Sequence, residues 1–153
     1  MLGVLVYDGR IWMEDVVMFV ESKRNLFTVP KDYYLAHCVA SDLGMSAGIA
    51  VDMQKKFNLR GKILIGPDSL KHPTCVLTGR VFNLITKKRS YGKPTLESLT
   101  LALHAMKQIA TDNGIKKIAM PRIGCGLDRL SWPVVREVIK LIKPADEILV
   151  CYL

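Results

Sequence analysis

Two short loops of small residues are the segments of this sequence best suited to bind an anion. The first, Gly44 to Gly48 (GMSAG), runs into a segment with helical spacing, and the second, Arg122 to Asp128 (RIGCGLD), lies between a strand pattern and a helix pattern. Backbone N–H groups at the start of a helix have no intrahelical acceptor, so they can donate to a phosphate. Neither loop is a Walker loop or a GxGxxG motif. Two such loops facing each other could hold a diphosphate, and the alternative for each is a tight turn without a ligand.

A lysine and a carboxylate could add covalent chemistry to such a site. Lys87 ends an apolar strand pattern and is followed by Lys88 and Arg89. Neighbouring positive charge and partial burial both favour the uncharged amine, which can attack an electrophilic carbon. Asp128 ends the second loop, where the reactive end of a ligand would rest. The alternative for Lys87 is a solvated cation on an edge strand.

The cysteines and histidines are weaker candidates for catalysis or metal binding. The four cysteines form no close pair and the three histidines are dispersed, so neither a metal site, nor a cofactor, nor a disulfide framework is predicted. Cys125 lies between glycines near a helix start, where thiols can be reactive, and its general base would have to be His37. The alternative is that Cys125 packs in a tight loop and that His37 is a buried strand residue with a backbone partner.

Hydrophobic patterning predicts the elements that would position these residues. Strands are predicted at 5–7 and 11–13 (a hairpin around Asp8-Gly9), 16–20, 34–40, 63–65, 75–77 and 81–86 (a second hairpin), 117–120 and 147–152, and helices at 49–57, 95–113 and 131–142. Strands and helices interleave in the second half of the chain. The sequence therefore predicts an α/β fold, a three-layer sandwich around a mixed sheet.

Size and charge restrict the function classes. The chain has 153 residues, half of them apolar, which predicts a single domain over 1–153 with 1–15 as a hairpin extension. No apolar run approaches the roughly 18–20 residues of a membrane span, and no secretory signal is visible at the start. We expect a monomer in the nucleus, the cytoplasm or both. Lys and Arg number 22 against 14 Asp and Glu, a net charge of +8 that favours nucleotides or nucleic acid as partners.

Three segments together resemble a known family. They are LAHCVASDLGMSAGIAV (35–51), LITKKRSYGKPTLESL (84–99) and MPRIGCGLDRL (120–130). They resemble the macrodomain family, in particular its branch of terminal ADP-ribose protein glycohydrolases, also called O-acetyl-ADP-ribose deacetylases. The resemblance covers about residues 16–153 and implies a three-layer α/β/α fold that binds ADP-ribose without a metal.

The resemblance also implies roles for individual residues. The loop from Ala47 to Ala50 and the second loop would hold the diphosphate and the distal ribose, Leu26 would line the adenine site, and Leu153 would close it. Lys87 would attack the anomeric carbon of the distal ribose, and Asp128 would resolve the lysyl-ADP-ribose intermediate as acid and base. The full set of implied binding residues is Asn25, Leu26, Ala40, Ala47, Gly48, Ile49, Ala50, Arg122, Ile123, Gly124, Cys125, Gly126, Leu127 and Leu153.

Three positions depart from the family pattern. Asn25 stands where an aspartate accepts from the adenine amino group, and its uncharged carbonyl would accept the same bond with lower affinity. Ala40 stands where this branch has a serine near the distal ribose, which removes one hydroxyl contact. Ser46 replaces the first glycine of the GAGIA motif. We expect these changes to affect affinity and substrate preference.

Three functions follow from the resemblance. The first is a hydrolase that removes mono-ADP-ribose from ester-linked acidic side chains of proteins and deacetylates O-acetyl-ADP-ribose. The second is a non-catalytic reader of ADP-ribose, which would not need Lys87 and Asp128. The third is a hydrolase of ADP-ribosylated nucleic acid, whose phosphates the excess positive charge would attract.

Overall fold

The computed structural model describes residues 4–7, 10–13, 18–45, 48–63, 73–88, 92–126 and 129–153. The strands are β1 (Val4–Tyr7), β2 (Arg10–Met13), β3 (Met18–Lys23), β4 (Tyr34–Ala40), β5 (Thr74–Thr78), β6 (Val81–Lys87), β7 (Lys117–Met120) and β8 (Glu147–Tyr152). The helices are α1 (Ile49–Phe57), α2 (Leu59–Ile63), α3 (Leu96–Asp112) and α4 (Trp132–Ile142), with a 3₁₀ turn at Leu26–Thr28. Within these ranges no helix is both long and apolar enough to cross a bilayer.

Six strands form one mixed sheet in the order β3-β8-β7-β4-β6-β5. Five of them run parallel, and β5 pairs antiparallel with β6. The predicted N-terminal hairpin is confirmed, because β1 and β2 pair antiparallel in a separate two-stranded sheet. The parallel strands all end at the same edge of the sheet, so the residues that follow β3, β8, β7, β4 and β6 are brought together there.

Helices cover both faces of this sheet. On β4, Leu35 and Val39 pack with Met53 of α1 and Leu59 of α2. Ala36 points to the opposite face, in the cluster that contains the buried residues of α3 and α4. Successive strand residues alternate between faces, so one strand contributes to both cores. The predicted three-layer α/β/α sandwich is confirmed.

The longest helix shows how local sequence sets an element. Thr95 accepts a hydrogen bond from the Ser98 N–H, and the Ser98 hydroxyl accepts one from the Thr95 N–H, both at 3.0 Å. This reciprocal cap satisfies two donors at the start of α3. The helix ends after Asp112, and the chain reverses at Gly114 with a φ of 65°. The predicted boundaries of this helix are confirmed.

Two predicted strands need correction. Ile63 was predicted to start a strand, but it ends helix α2, because Leu59 buries itself completely against the sheet and the chain continues as a helical turn from there; residues 64 and 65 lie outside the described residues. The strand predicted at 16–20 is β3, which runs to Lys23 since it pairs with β8 over its whole length.

A polar group lies inside the core on the α1 side of the sheet. His37 is completely buried, and its Nε2 donates to Oδ1 of Asn83 at 2.7 Å. The Asn83 amide in turn donates to Val76 O and Thr78 Oγ1, which fixes its orientation and therefore the tautomer of His37. Nδ1 of His37 is buried without a hydrogen-bond partner among the described residues. The partner predicted for this histidine was a backbone group, which is wrong: it is a side-chain amide.

This buried histidine predicts acid instability. Burial lowers the pKa of His37 from 6.5 to about 4, although its hydrogen bond with Asn83 acts in the opposite direction. The contribution of the neutral His37 to the free energy of unfolding is therefore complete above pH 6.5. It is lost as the pH falls from 6.5 towards 4, because only the unfolded chain binds the proton in this range. The total loss is about 3 kcal/mol.

Urea unfolding between pH 7 and pH 4.5 measures this effect. We expect His37→Gln to flatten the fall in unfolding free energy, and His104→Gln, which changes an exposed histidine on α3, to leave it as in the wild type. Equal pH slopes for wild type and His37→Gln would show that His37 is not responsible.

Candidate functional site

The strand order creates a crevice between β4 and β7. These two strands are neighbours and parallel. The chain leaves β4 to form α1 on one face of the sheet, and it leaves β7 to form α4 on the opposite face. In open α/β sheets, ligands bind outside the carboxyl ends of strands at such a switch point. Both glycine-containing loops start here.

The difference in strand length deepens this crevice. Leu35 of β4 lies opposite Ala119 of β7, so by the same register β4 extends four residues beyond the level of Met120, roughly 13 Å. On the other side, Met120 lies opposite Val150, and β8 continues to Tyr152. The second glycine loop therefore emerges between the longer ends of β4 and β8.

The first loop is tied to the end of β6. The N–H of Ser41 donates to Lys87 O at 2.8 Å, and the N–H of Asp42 donates to Lys88 O at 3.2 Å. The loop then reaches Gly48, whose φ of 62° and ψ of −152° are accessible to glycine and strained for any other residue. Of the predicted binding residues in this loop, Ala47 lies outside the described residues.

Gly48 begins α1 at the crevice. Glycine has no side chain to cap the helix, and within the described residues no side chain takes its place, so the N–H groups of Ile49 and Ala50 can donate to a ligand. The side chains of both residues are half-buried. The start of α1 therefore combines backbone donors with the positive end of a helix dipole, an arrangement that favours a phosphate.

Lys87 is the last residue of β6 and lies next to the start of the first loop. It is half-buried and pairs with Ala40 across a register shift between Val39 and Ala40, at which β6 has one extra residue. Thr86, only 2% exposed, and Ser41 each have a buried hydroxyl oxygen with no hydrogen-bond partner in the described part of the chain. Sequence reasoning missed both hydroxyls, because only the pairing of β4 with β6 brings the strand end that carries Ser41 beside the one that carries Thr86.

The second loop is a compact turn. Gly124 has a φ of 72°, and its carbonyl accepts from Leu130 N–H at 2.7 Å. The Cys125 thiol donates to Ile123 O at 3.2 Å, and Ile123 is buried. Gly126 is exposed, and Leu127 and Asp128 lie outside the described residues. The position of the proposed acid and base therefore stays a prediction.

Gly124 and Gly126 form a matched pair for testing this loop. A Cβ on Gly124 would lie 2.9 Å from Leu130 Cδ1 and 3.2 Å from Leu99 Cδ2, whereas one on Gly126 would have no heavy atom within 4 Å. We expect Gly124→Ala to lower the unfolding free energy by about 1–3 kcal/mol, because positive φ and the close contacts add. Gly126→Ala should leave the melting temperature unchanged. Equal melting temperatures would contradict the packing of Gly124.

The side chain of Arg122 is directed towards β3 and β8. Its guanidinium lies 4.3 Å from the centre of the Tyr152 ring, and Nε is 3.9 Å from Oε1 of Glu21. Glu21 also accepts from Trp132 Nε1 at 2.7 Å, which links the loop to the first turn of α4. A contribution of Arg122 to ligand binding would therefore come from its backbone.

The predicted adenine residues lie at the ends of β3 and β8. Asn25 is exposed, and its Oδ1 already accepts from Phe27 N–H at 2.9 Å, which caps the 3₁₀ turn. Leu26 is 3% exposed and Leu153 is 90% exposed. The structure brings these residues to the same sheet edge as the two loops and Lys87.

The alternative of a Cys125–His37 dyad is wrong. Cys125 packs against the cluster of α3 and α4. His37 lies on the α1 face of β4, because it is two positions from both Leu35 and Val39 and alternate strand residues point to the same face. The sheet separates the two side chains. Burial also raises the pKa of the Cys151 thiol at the end of β8, which keeps it protonated.

The chain is similar in sequence to proteins of known family. The family model of the Macro domain matches residues 72–139. The chain is 44% identical over 129 residues to the ADP-ribose glycohydrolase OARD1 of Homo sapiens, with 82% of this chain and 84% of that protein covered. It is 43% identical to the protein of the same name from Bos taurus, with the same coverage.

Solved structures share the fold at low sequence identity. The macrodomain of Thermus aquaticus DarG superposes with a TM-score of 0.74 at 20% identity, covering 89% of this chain and 99% of that one. Thermosipho africanus DarTG, solved in complex with ADP-ribose, gives a TM-score of 0.74 at 16% identity, covering 92% of this chain and 43% of that one. At this level of identity these structures support the fold alone.

Proposed function

The chain belongs to the macrodomain family, and from this membership we propose that it is an ADP-ribose glycohydrolase. It removes mono-ADP-ribose from ester-linked acidic side chains and releases the acetyl group of O-acetyl-ADP-ribose. The observation that carries the proposal is the position of Lys87, at the end of β6 and hydrogen-bonded through its carbonyl to the loop before α1. The proteins most informative about activity, human and bovine OARD1, are themselves named ADP-ribose glycohydrolases.

The proposed reaction has two steps. The uncharged amine of Lys87 forms a bond to the anomeric carbon of the distal ribose while the bond from that carbon to the ester oxygen breaks. The carboxylate leaves with the electron pair, and the nitrogen gives up a proton. Water then adds to the same carbon and the carbon–nitrogen bond breaks, which releases ADP-ribose and restores the lysine.

Proton transfer in the second step needs a group beside the ribose. Asp128, five residues after Ile123 in the second loop, is proposed as this acid and base. The N–H groups at the start of α1 and in the second loop would hold the diphosphate, and Leu26 the adenine. This assignment rests on the family resemblance and on the edge of the sheet at which both loops meet.

The partners we propose are ADP-ribose and mono-ADP-ribosylated proteins, bound by a monomer. All the proposed residues belong to one chain, so no second copy is needed to complete the site. An ADP-ribosylated nucleic acid would be recognised by added phosphate contacts, whose strength falls steeply with salt. Comparing activity on peptide and nucleic-acid substrates at two salt concentrations distinguishes these acceptors.

Two measurements on the wild-type protein test the activity. A protein carrying ester-linked mono-ADP-ribose is incubated with the enzyme and free ADP-ribose is quantified, while calorimetry measures ADP-ribose binding. We expect both binding and release. Binding without release of product would identify a reader instead, and the absence of both would refute the proposed function.

A further inference from the structure

The loop between β4 and α1 is strained at two buried positions. Leu43 has a φ of 52° and Met45 a φ of 45°, although neither is a glycine. Their side chains are 2% and 8% exposed. Left-handed backbone at branched or bulky residues persists only where surrounding contacts enforce it. Two local hydrogen bonds, from Leu43 N–H to Ala40 O at 3.0 Å and from Gly44 N–H to Asp42 Oδ1 at 3.1 Å, support this conformation together with contacts from outside the loop.

Arg60 of α2 supplies such a contact. Its Nε donates to Leu43 O at 2.8 Å and its Nη2 donates to Gly44 O at 2.7 Å. The planar guanidinium presents two donors in a fixed geometry, so it can hold two successive carbonyls at once, which a lysine ammonium cannot do with the same rigidity. These carbonyls belong to the strained residue Leu43 and to the glycine after it.

The backbone that carries this side chain is itself held in place. The main-chain N–H of Arg60 donates to Oε1 of Gln54 at 2.8 Å, and the preceding residue, Leu59, is completely buried in the core. Gln54 belongs to α1, the helix that the strained loop enters. Arg60 therefore connects the loop to the body of the helix that follows it.

The same loop also contacts the other part of the proposed site. Its first residue, Ser41, donates to the carbonyl of Lys87, and its last, Gly48, begins α1. A change in the path between these ends would move the phosphate-binding start of α1 relative to Lys87. Displacements of about 1 Å at such sites can cost roughly a hundredfold in rate.

We infer that Arg60 is a positioning residue, which fixes the backbone of Leu43 and Gly44 between β4 and α1 and so sets the distance between the diphosphate site and Lys87. It contacts neither the proposed substrate nor the reacting atoms. The inference rests on the proposed function, since it assumes that ADP-ribose binds at this loop.

Two variants test this role against a matched control. Arg60→Ala removes both hydrogen bonds, Arg60→Lys keeps the charge without the planar fork, and Lys62→Ala removes the same charge from an exposed position of the same helix. The measurements are the Kd for ADP-ribose by calorimetry, KM and kcat on an ester-linked mono-ADP-ribosylated protein, and the melting temperature. We expect Arg60→Ala to raise Kd and KM about tenfold or more and also to lower kcat, because the displaced diphosphate moves the ribose away from Lys87. The effects of Arg60→Lys should lie between those of Arg60→Ala and the wild type, and Lys62→Ala should behave as wild type.

Each result of these measurements either supports or overturns the positioning role of Arg60. Equal Kd and KM for Arg60→Ala and Lys62→Ala would overturn the inference. A lower melting temperature for Arg60→Ala would also overturn it if the variant, measured at a temperature where it is folded, binds ADP-ribose with the wild-type Kd. If Arg60→Ala does not fold, Arg60→Lys decides: a raised Kd at a near-wild-type melting temperature supports the inference, and an unchanged Kd overturns it. A wild-type protein that neither binds nor hydrolyses ADP-ribose would instead refute the proposed function.

Discussion

Replacing Lys87 with alanine is expected to abolish hydrolysis while leaving ADP-ribose binding nearly intact. The lysine amine forms the covalent bond in the first proposed step, and alanine offers no nucleophile in its place. Its loss should lower kcat by about 10³-fold or more, equivalent to roughly 4 kcal/mol of transition-state stabilisation. Release of ADP-ribose under single-turnover conditions measures the rate, and calorimetry measures the binding that should remain.

A covalent intermediate also leaves a chemical trace. The adduct can open its ribose ring, so that the bond from the anomeric carbon to the ring oxygen breaks and a carbon–nitrogen double bond to Lys87 forms. Borohydride reduces this imine to a stable amine, so intact-mass measurement of the wild type reduced during turnover of the ester-linked substrate should show one ADP-ribosyl addition. Lys87→Ala should show none. Lys88→Ala removes the neighbouring charge at an exposed position and should retain both turnover and adduct. Full activity in Lys87→Ala would refute the covalent mechanism.

Replacing Asp128 with alanine is expected to have the opposite effect on the adduct. The first step would still occur, but water addition and departure of the lysine would lack their acid and base. We expect turnover to fall by about 10²–10⁴-fold and the covalent protein to accumulate without any reductant. Intact-mass measurement after incubation with an ester-linked mono-ADP-ribosylated protein detects this species directly.

The order of the two steps can then be checked in one protein. A Lys87→Ala, Asp128→Ala double variant should form no adduct, because the lysine acts first. Asp112→Ala, an exposed carboxylate at the far end of α3, serves as the control for loss of an acidic residue. An Asp128→Ala protein that turns over normally, or accumulates no adduct, would remove Asp128 from the mechanism.

Local signals in the sequence were sufficient for most of the fold. The cap formed by Thr95 and Ser98 lies within one turn of helix, and the apolar stripe of α3 repeats every three to four residues. Such features are fixed by neighbours along the chain, so they can be predicted without knowing the tertiary structure. The alternation that buries β4 on both faces likewise follows from its composition. Ile63 was predicted wrongly because a short apolar run suits a strand and a buried helical turn equally.

The chemistry of the site was visible as residue types but not as an arrangement. The sequence, with its family resemblance, indicated Lys87 and the two glycine loops, because nucleophiles and anion-binding loops have recognisable compositions. Only the sheet order placed Lys87 opposite Ala40 and beside Ser41, where the loop towards α1 begins, across a register shift that no local pattern encodes.

Tertiary structure alone decided the supporting contacts. Arg60 reaches the carbonyl of Leu43 across 17 positions of sequence, and the Trp132 indole reaches Glu21 across 111. His37 finds its partner in Asn83, 46 positions away. The residue type at each of these positions is compatible with an exposed or unrelated role, so its own sequence context carries no signal. The free energy of such a contact depends on the folding of both segments, and for that reason the partner is defined only when the whole chain has packed.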